Sequence, residues 1–228
     1  MPVRRRLLGA AAALLALGAV SVAATLTADA ATPACGLSCL DVSSVYGTFL
    51  DIGSHQVDPS AGQPVILAPA SNDNPGEDFG FGARDTVEAF YEGGVVGAAI
   101  DLRYSSFTAY EIAYTPFGVD SFLCVGVGAT PGEGTRVTLQ PCGLNARTVW
   151  IVDPNPTGGS GFSLISAATA ASNVADPFVL SAPLPGGGAG LSTETLASLT
   201  TYPLLPVPHA SVSVFPTQLW GSRFGVLP

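Results

Sequence analysis

The side chains able to do chemistry are few and widely spaced. The histidines are His55 and His209, and neither sits in a pattern that would pair it with a nucleophile. A Ser–His–Asp hydrolase needs such a base beside its serine, and the chain has no Gly-x-Ser-x-Gly turn to present one. Both histidines therefore read as plain surface residues. No His/Cys/Asp cluster has the spacing of metal ligands. Asp73, Glu77 and Asp78, with Asn72 and Asn74, place oxygen donors close together as a Ca²⁺ loop does, but an acidic turn of this kind reads first as solvated. Asp85, Glu88 and Glu92 lie near one another in sequence. Glycoside hydrolysis would need two carboxylates at a fixed separation across a cleft, which sequence alone does not fix. The expectation is a protein with no catalytic residues, no metal and no cofactor.

Binding chemistry has better candidates. Asp51 follows an apolar run, Phe49-Leu50, and could orient a ligand's hydroxyls or pin its own turn. The densest aromatic stretch holds Phe90, Tyr91, Tyr104, Phe107, Tyr110 and Tyr114. Exposed on strands, rings such as Tyr104 and Tyr110 would stack on the apolar face of a sugar; the alternative is barrel core and rim.

These residues sit in a chain built for export. Arg4, Arg5 and Arg6 precede an apolar, Ala-rich run from Leu7 to Leu26, and Ala28-Asp29-Ala30 supplies small residues for a peptidase. That is the layout of a cleaved signal peptide over residues 1–30, through either the general or the twin-arginine route. The expected product is a secreted, extracellular single domain over residues 31–228, with no membrane attachment after cleavage. Its Ala-, Gly- and Pro-rich, lysine-free composition suits a bacterial source. The whole chain carries a net charge of −9, and residues 31–228 hold five arginines against sixteen acids, about −11. This surface has no basic footprint for nucleic acid or for anionic lipid. Self-repulsion favours a monomer.

With 27 Gly and 19 Pro, the chain lacks any sustained helical period after residue 31. Short Val/Thr/Phe/Tyr runs between turn clusters predict an all-β sandwich or barrel. Strands are expected at 48–52, 64–68, 78–81, 87–91, 98–104, 109–114, 122–127, 135–140, 148–152, 162–165, 177–181 and 211–215. The segment 185–208 reads as an insertion or long loop, with a short helix opening at Ser192. Internal copies are visible. Pro64-Val65-Ile66-Leu67-Ala68-Pro69-Ala70 aligns with Arg136-Val137-Thr138-Leu139-Gln140-Pro141-Cys142 and, more weakly, with Pro177-Phe178-Val179-Leu180-Ser181-Ala182-Pro183. The preceding strands are Phe49–Ile52, Cys124–Val127 and Phe162–Ile165. Three copies, near 48–81, 122–152 and 162–220, imply a threefold architecture.

The run Cys124-Val125-Gly126-Val127, then Val137-Thr138-Leu139-Gln140-Pro141-Cys142, then Thr148-Val149-Trp150 resembles one repeat of the ricin B-type β-trefoil family, and Gln218-Leu219-Trp220 is a literal Gln-x-Trp. The resemblance is good over about 120–152, fair over 48–81 and poor over 160–228. It implies a single β-trefoil barrel of three diverged repeats with long loop insertions. It also implies a Cys124–Cys142 bridge, which leaves Cys35 and Cys39 as a second pair; four cysteines by themselves permit three pairings. By position, Asp51 matches the family's sugar-binding Asp, and Gly126 stands in its place in the second copy. Ala68, Gln140 and Ser181 occupy the aromatic platform. Gly76 and Glu77, then Arg147 and Thr148, occupy the Asn and Gln before the repeat Trp. Gln218 keeps its Gln. The resemblance thus implies a carbohydrate-binding, lectin-like protein whose sugar-site residues are largely not retained, with a glycan or polysaccharide as partner. A secreted protein partner, bound or inhibited through exposed loops such as 185–208, is the alternative; a secreted hydrolase is the third reading.

Overall fold

Three hairpins organise the chain, and between the two strands of each the sequence is rich in Gly and Pro, the residues that favour chain reversal. The computed structural model describes residues 42–44, 48–53, 58–69, 74–143, 145–154, 161–182, 192–195 and 216–222. The expected signal peptide, Cys35, Cys39, His55, His209 and the expected strand at 211–215 lie outside the described residues.

The strands are β1 (Val42–Ser44), β2 (Thr48–Asp51), β3 (Ile66–Pro69), β4 (Phe79–Thr86), β5 (Thr108–Tyr114), β6 (Leu123–Val127), β7 (Thr135–Pro141), β8 (Val149–Asp153), β9 (Ser163–Ser166), β10 (Phe178–Ser181), β11 (Ser192–Thr195) and β12 (Trp220–Ser222). All pairings among the described strands are antiparallel, and they repeat with a period of four. Hairpins form at β2–β3, β6–β7 and β10–β11; first strands pair with second strands at β1–β2, β5–β6 and β9–β10. The last strand of one repeat pairs with the first of the next at β4–β5, β8–β9 and, closing the cycle, β12–β1. Within a repeat, β5 pairs with β8, and Phe162 bridges to Trp220. This is a β-trefoil: four strands per repeat, three repeats around one axis.

The symmetry reaches single hydrogen bonds. The backbone N–H groups of Ile52, Val127 and Ala182 donate to the carbonyls of Gly76, Arg147 and Thr217, at 3.2, 3.0 and 2.6 Å. The indoles of Trp150 and Trp220 donate to the carbonyls of Val125 and Leu180, at 2.8 and 2.9 Å. Phe79, Trp150 and Trp220, the three corresponding rings, are all fully buried with Leu50, Val125 and Leu180 in one core. A disulfide joins Cys124 to Cys142.

Three sequence expectations are corrected. The segments 87–91 and 98–104 are helices, not strands: α1 (Val87–Glu92) and α2 (Ala98–Tyr104). The Thr86 hydroxyl accepts from Ala89 N and caps α1, a standard start signal, and the pairs Val87/Phe90 and Ile100/Tyr104 face inward at helical spacing. Both helices are too short to show a sustained period. They pack on a second core with Val149, Ile151, Ile165 and Val179. Second, no helix opens at Ser192. Residues 192–195 form β11, which pairs with β10 and β7. Third, the third copy is therefore displaced by one strand from its sequence alignment. The counterpart of Phe49–Ile52 is Val179–Ala182, not Phe162–Ile165, and Leu50, Val125 and Leu180 face Leu67, Leu139 and Thr193.

Candidate ligand-binding site

In the corrected register Asp51, Gly126 and Ser181 are equivalent, as are Ala68, Gln140 and Glu194. The three corners they define differ in what they hold.

The first corner is polar and ordered. Asp51 ends β2 and is 4 % exposed. One carboxylate oxygen accepts from the N–H of Gly53, whose φ of +70° closes a turn that other residues enter only at a cost. The other accepts from Asn74 Nδ2 at 2.7 Å. The same Asn74 nitrogen lies 3.0 Å from Glu77 Oε1, while Asn74 Oδ1 accepts from Gly76 N and caps the short 3₁₀ turn Pro75–Glu77. Asn74 and Glu77 are both half-buried, so they form the edge of the corner that meets solvent. Asp51 behind them is a positioning residue for that amide. Gln63, whose Nε2 donates to Ile52 O, belongs to a shallow open hollow lined by Asp58, Ser60, Ala61 and Gly62 on the same hairpin.

Asp78 extends the turn inward. It is buried, and burial pushes its carboxyl above the ordinary carboxylate range, against the opposing pull of the Phe117 N–H. That N–H donates to Asp78 Oδ2 at 3.0 Å, and Thr115 N donates to Asp78 O at 2.8 Å. Through these bonds the turn Pro75–Glu77 packs on the turn Pro116–Gly118 of the next repeat. The buried Tyr114 hydroxyl lies in the field of both acids: burial first, then Asp78 and Asp51, raise it well above its usual range.

The second corner is closed. A side chain at Gly126 would meet the Arg147 carbonyl oxygen at 2.6 Å. The Thr148 hydroxyl instead donates to the buried Glu111 carboxylate. In the third corner Ser181 is fully buried.

The aromatic candidates are not at a surface. Tyr104 is 4 % exposed, on α2, edge-on to Phe107, with its hydroxyl pushed up to about 12 chiefly by burial. Tyr110 is fully buried, edge-on to Phe81 at 4.9 Å. Neither ring offers a face to a ligand. Gln218 is also fully buried, and among the described residues neither of its amide atoms has a hydrogen-bond partner. Sequence reasoning passed over Asn74 as a binding residue, although an Asn before Pro-x-Glu is a capping signal. Phe117 was missed because Pro-Phe-Gly reads only as a turn.

No protein-family model and no curated protein matches the sequence. Solved structures do. The designed threefold-symmetric protein ThreeFoil is 12% identical, with a TM-score of 0.50 over 81% of this chain and 97% of its own. A ricin B-like lectin of Macrolepiota procera, in complex with lactose, is 12% identical, with a TM-score of 0.46 over 83% of this chain and 96% of its own. The cytolethal distending toxin of Haemophilus ducreyi is 10% identical, with a TM-score of 0.47 over 84% and 86%. At such identities a likeness concerns the fold alone, and the one to ThreeFoil agrees with the β-trefoil read from the pairing.

Proposed function

We propose that this protein is a secreted, non-catalytic carbohydrate-binding β-trefoil that binds through its first repeat. The observation that carries the reading is the Asp51–Asn74–Glu77 corner. Among the described residues, it is the corner that holds an ordered acid–amide set at a solvent-facing edge. A carboxylate and a primary amide held side by side offer acceptors and donors at fixed spacing, which suits adjacent sugar hydroxyls. Support for export comes from the basic and apolar leader together with the Cys124–Cys142 bridge, since structural disulfides belong to oxidising compartments.

The test is a glycan array and insoluble-polysaccharide pull-down with the oxidised chain from Ala31. Glu77→Gln removes an edge carboxylate, and Asp51→Asn weakens the hold on Asn74. Each is expected to lower affinity at least tenfold in a chain that still melts cooperatively. Wild-type protein that binds no glycan would remove the reading.

A further inference from the structure

One loop joins β5 to β6, and it gathers three of the five exposed large hydrophobic side chains among the described residues, the others being Tyr91 and Leu102 on the helices. Phe117, Val119 and Phe122 are 58, 66 and 74 % exposed. Both phenylalanines have left-handed backbones, φ +56° and +58°. Bulky residues avoid that region, so surrounding bonds must impose it. Those bonds are present: Phe117 N to Asp78 Oδ2, Gly118 N to Thr115 O at 2.8 Å, and Phe122 N to Asp120 Oδ1 at 2.8 Å. Ser121 Oγ ties the loop base to Tyr114 O at 2.6 Å, and Cys142 N donates to Phe122 O at 2.9 Å. The loop is held in a conformation its aromatic residues disfavour, and the rings remain in solvent.

The same loop adjoins the Asn74–Glu77 turn, as the Asp78 bonds require. The platform position of the first corner is Ala68, which has no ring. We infer that the stacking wall comes from the neighbouring repeat: Phe117, bonded through its N–H to Asp78 beside the Asn74–Glu77 edge, takes the apolar face of a neutral saccharide together with Phe122 of the same loop. This rests on the saccharide reading of that corner and adds its missing aromatic half.

Other occupants fit less well. Three side chains offer at most a few hundred Å², well short of the roughly 800 Å² per partner of a stable protein interface. A bilayer would have to accept Asp120 between the rings, and it would meet a chain with no lysine and a net charge of −9. The same charge disfavours anionic glycans. A neutral sugar needs a ring and a few hydroxyl partners, and Asp120 adds a carboxylate beside Phe122.

The experiment is calorimetric titration of the oxidised chain with lactose and with cello-, xylo-, manno- and chito-tetraose, alongside a sialylated oligosaccharide. Phe117→Gly and Phe122→Gly each remove a ring while supplying the residue that a positive φ prefers. The expected result is binding of a neutral sugar, at least a tenfold loss in each variant, and a melting temperature unchanged or raised. A merely structural role would instead lower the melting temperature. If both variants bind like wild type while Asp51→Asn does not, the aromatic wall is wrong and the corner stands. Preference for the sialylated probe overturns the neutral class. Failure of wild type to bind any probe overturns the corner and the wall together.

Discussion

Gly126 runs so close to Arg147 that a Cβ on it would lie 2.6 Å from the Arg147 carbonyl oxygen and 3.0 Å from Thr148 Cγ2. The absence of an acid at this position is therefore steric. The backbone of the turn before Trp150 occupies the space, and its Arg147 carbonyl is already held by Val127 N. Gly126→Ala should destabilise by about 2–3 kcal/mol, the usual cost of forcing atoms into a filled site. Gly128→Ala is the control one residue beyond the same strand. Its nearest neighbour would be Gln140 Nε2 at 3.8 Å, so it should change stability by less than about 0.5 kcal/mol. Urea unfolding of the two variants decides; equal costs would refute the clash.

The two buried indoles act as clamps between the last strand of a repeat and its hairpin. Trp150→Phe keeps most of the apolar volume but leaves the Val125 carbonyl without its donor, and Trp220→Phe does the same to Leu180. An unpaired buried acceptor costs about 1–3 kcal/mol. Each variant should fall in that range by denaturant midpoint, and by similar amounts, because the two environments are related by the pseudo-threefold axis. A loss confined to one repeat would mean that the symmetry in geometry is not a symmetry in energy.

How far the sequence revealed this molecule depended on whether a residue's role was local. The hairpin strands β2, β3, β6 and β7 were readable because their Val, Leu and Phe stand between turn clusters. β11 was not, since Ser192-Thr193-Glu194-Thr195 has no apolar residue to mark it and only its pairing with β10 and β7 makes it a strand. Tyr110 was a fair surface candidate until its strand proved to be covered on both sides. Tyr110 enters the barrel core while its neighbour Ala109 meets the core under α1 and α2. The contact between the Asn74–Glu77 turn and Phe117 could not be read at all. It depends on β4 pairing with β5 across a repeat boundary, Phe79 opposite Tyr114.

Asp78 should make stability depend on pH in an unusual direction for a carboxylate. Burial raises its folded-state pKa above the ordinary 3.8 of an aspartate. The folded chain then holds the proton more tightly than the unfolded one, so this group's contribution is greatest at low pH and is lost as pH rises through the folded value. Asp78→Asn keeps an oxygen for the Phe117 N–H and removes the buried charge. The variant should melt above wild type at pH 7, and the gap should narrow as pH falls toward 4. A gap that is absent at pH 7, or that widens on acidification, would show that the bond to Phe117 outweighs the desolvation.

The Cys124–Cys142 bridge links stability to the aromatic loop, because Phe122 lies two residues before one half-cystine and accepts from the backbone N–H of the other. The bridge spans 18 residues. In the chain-entropy model its removal costs about 3 kcal/mol, mostly by freeing the unfolded chain. Cys124→Ala with Cys142→Ala should show that loss in urea. Because Cys124 is fully buried, reduction of the native wild type should be slow and should quicken with urea, as expected when a thiol agent must wait for local opening. The functional consequence follows from position. Loss of the bridge loosens the strand ends that hold Phe122, so sugar affinity should fall in the double variant, with the Asn74–Glu77 edge left intact. Restoring stability with a kosmotropic salt such as sulfate should not restore that affinity. If affinity returned with stability, the bridge would serve only the fold.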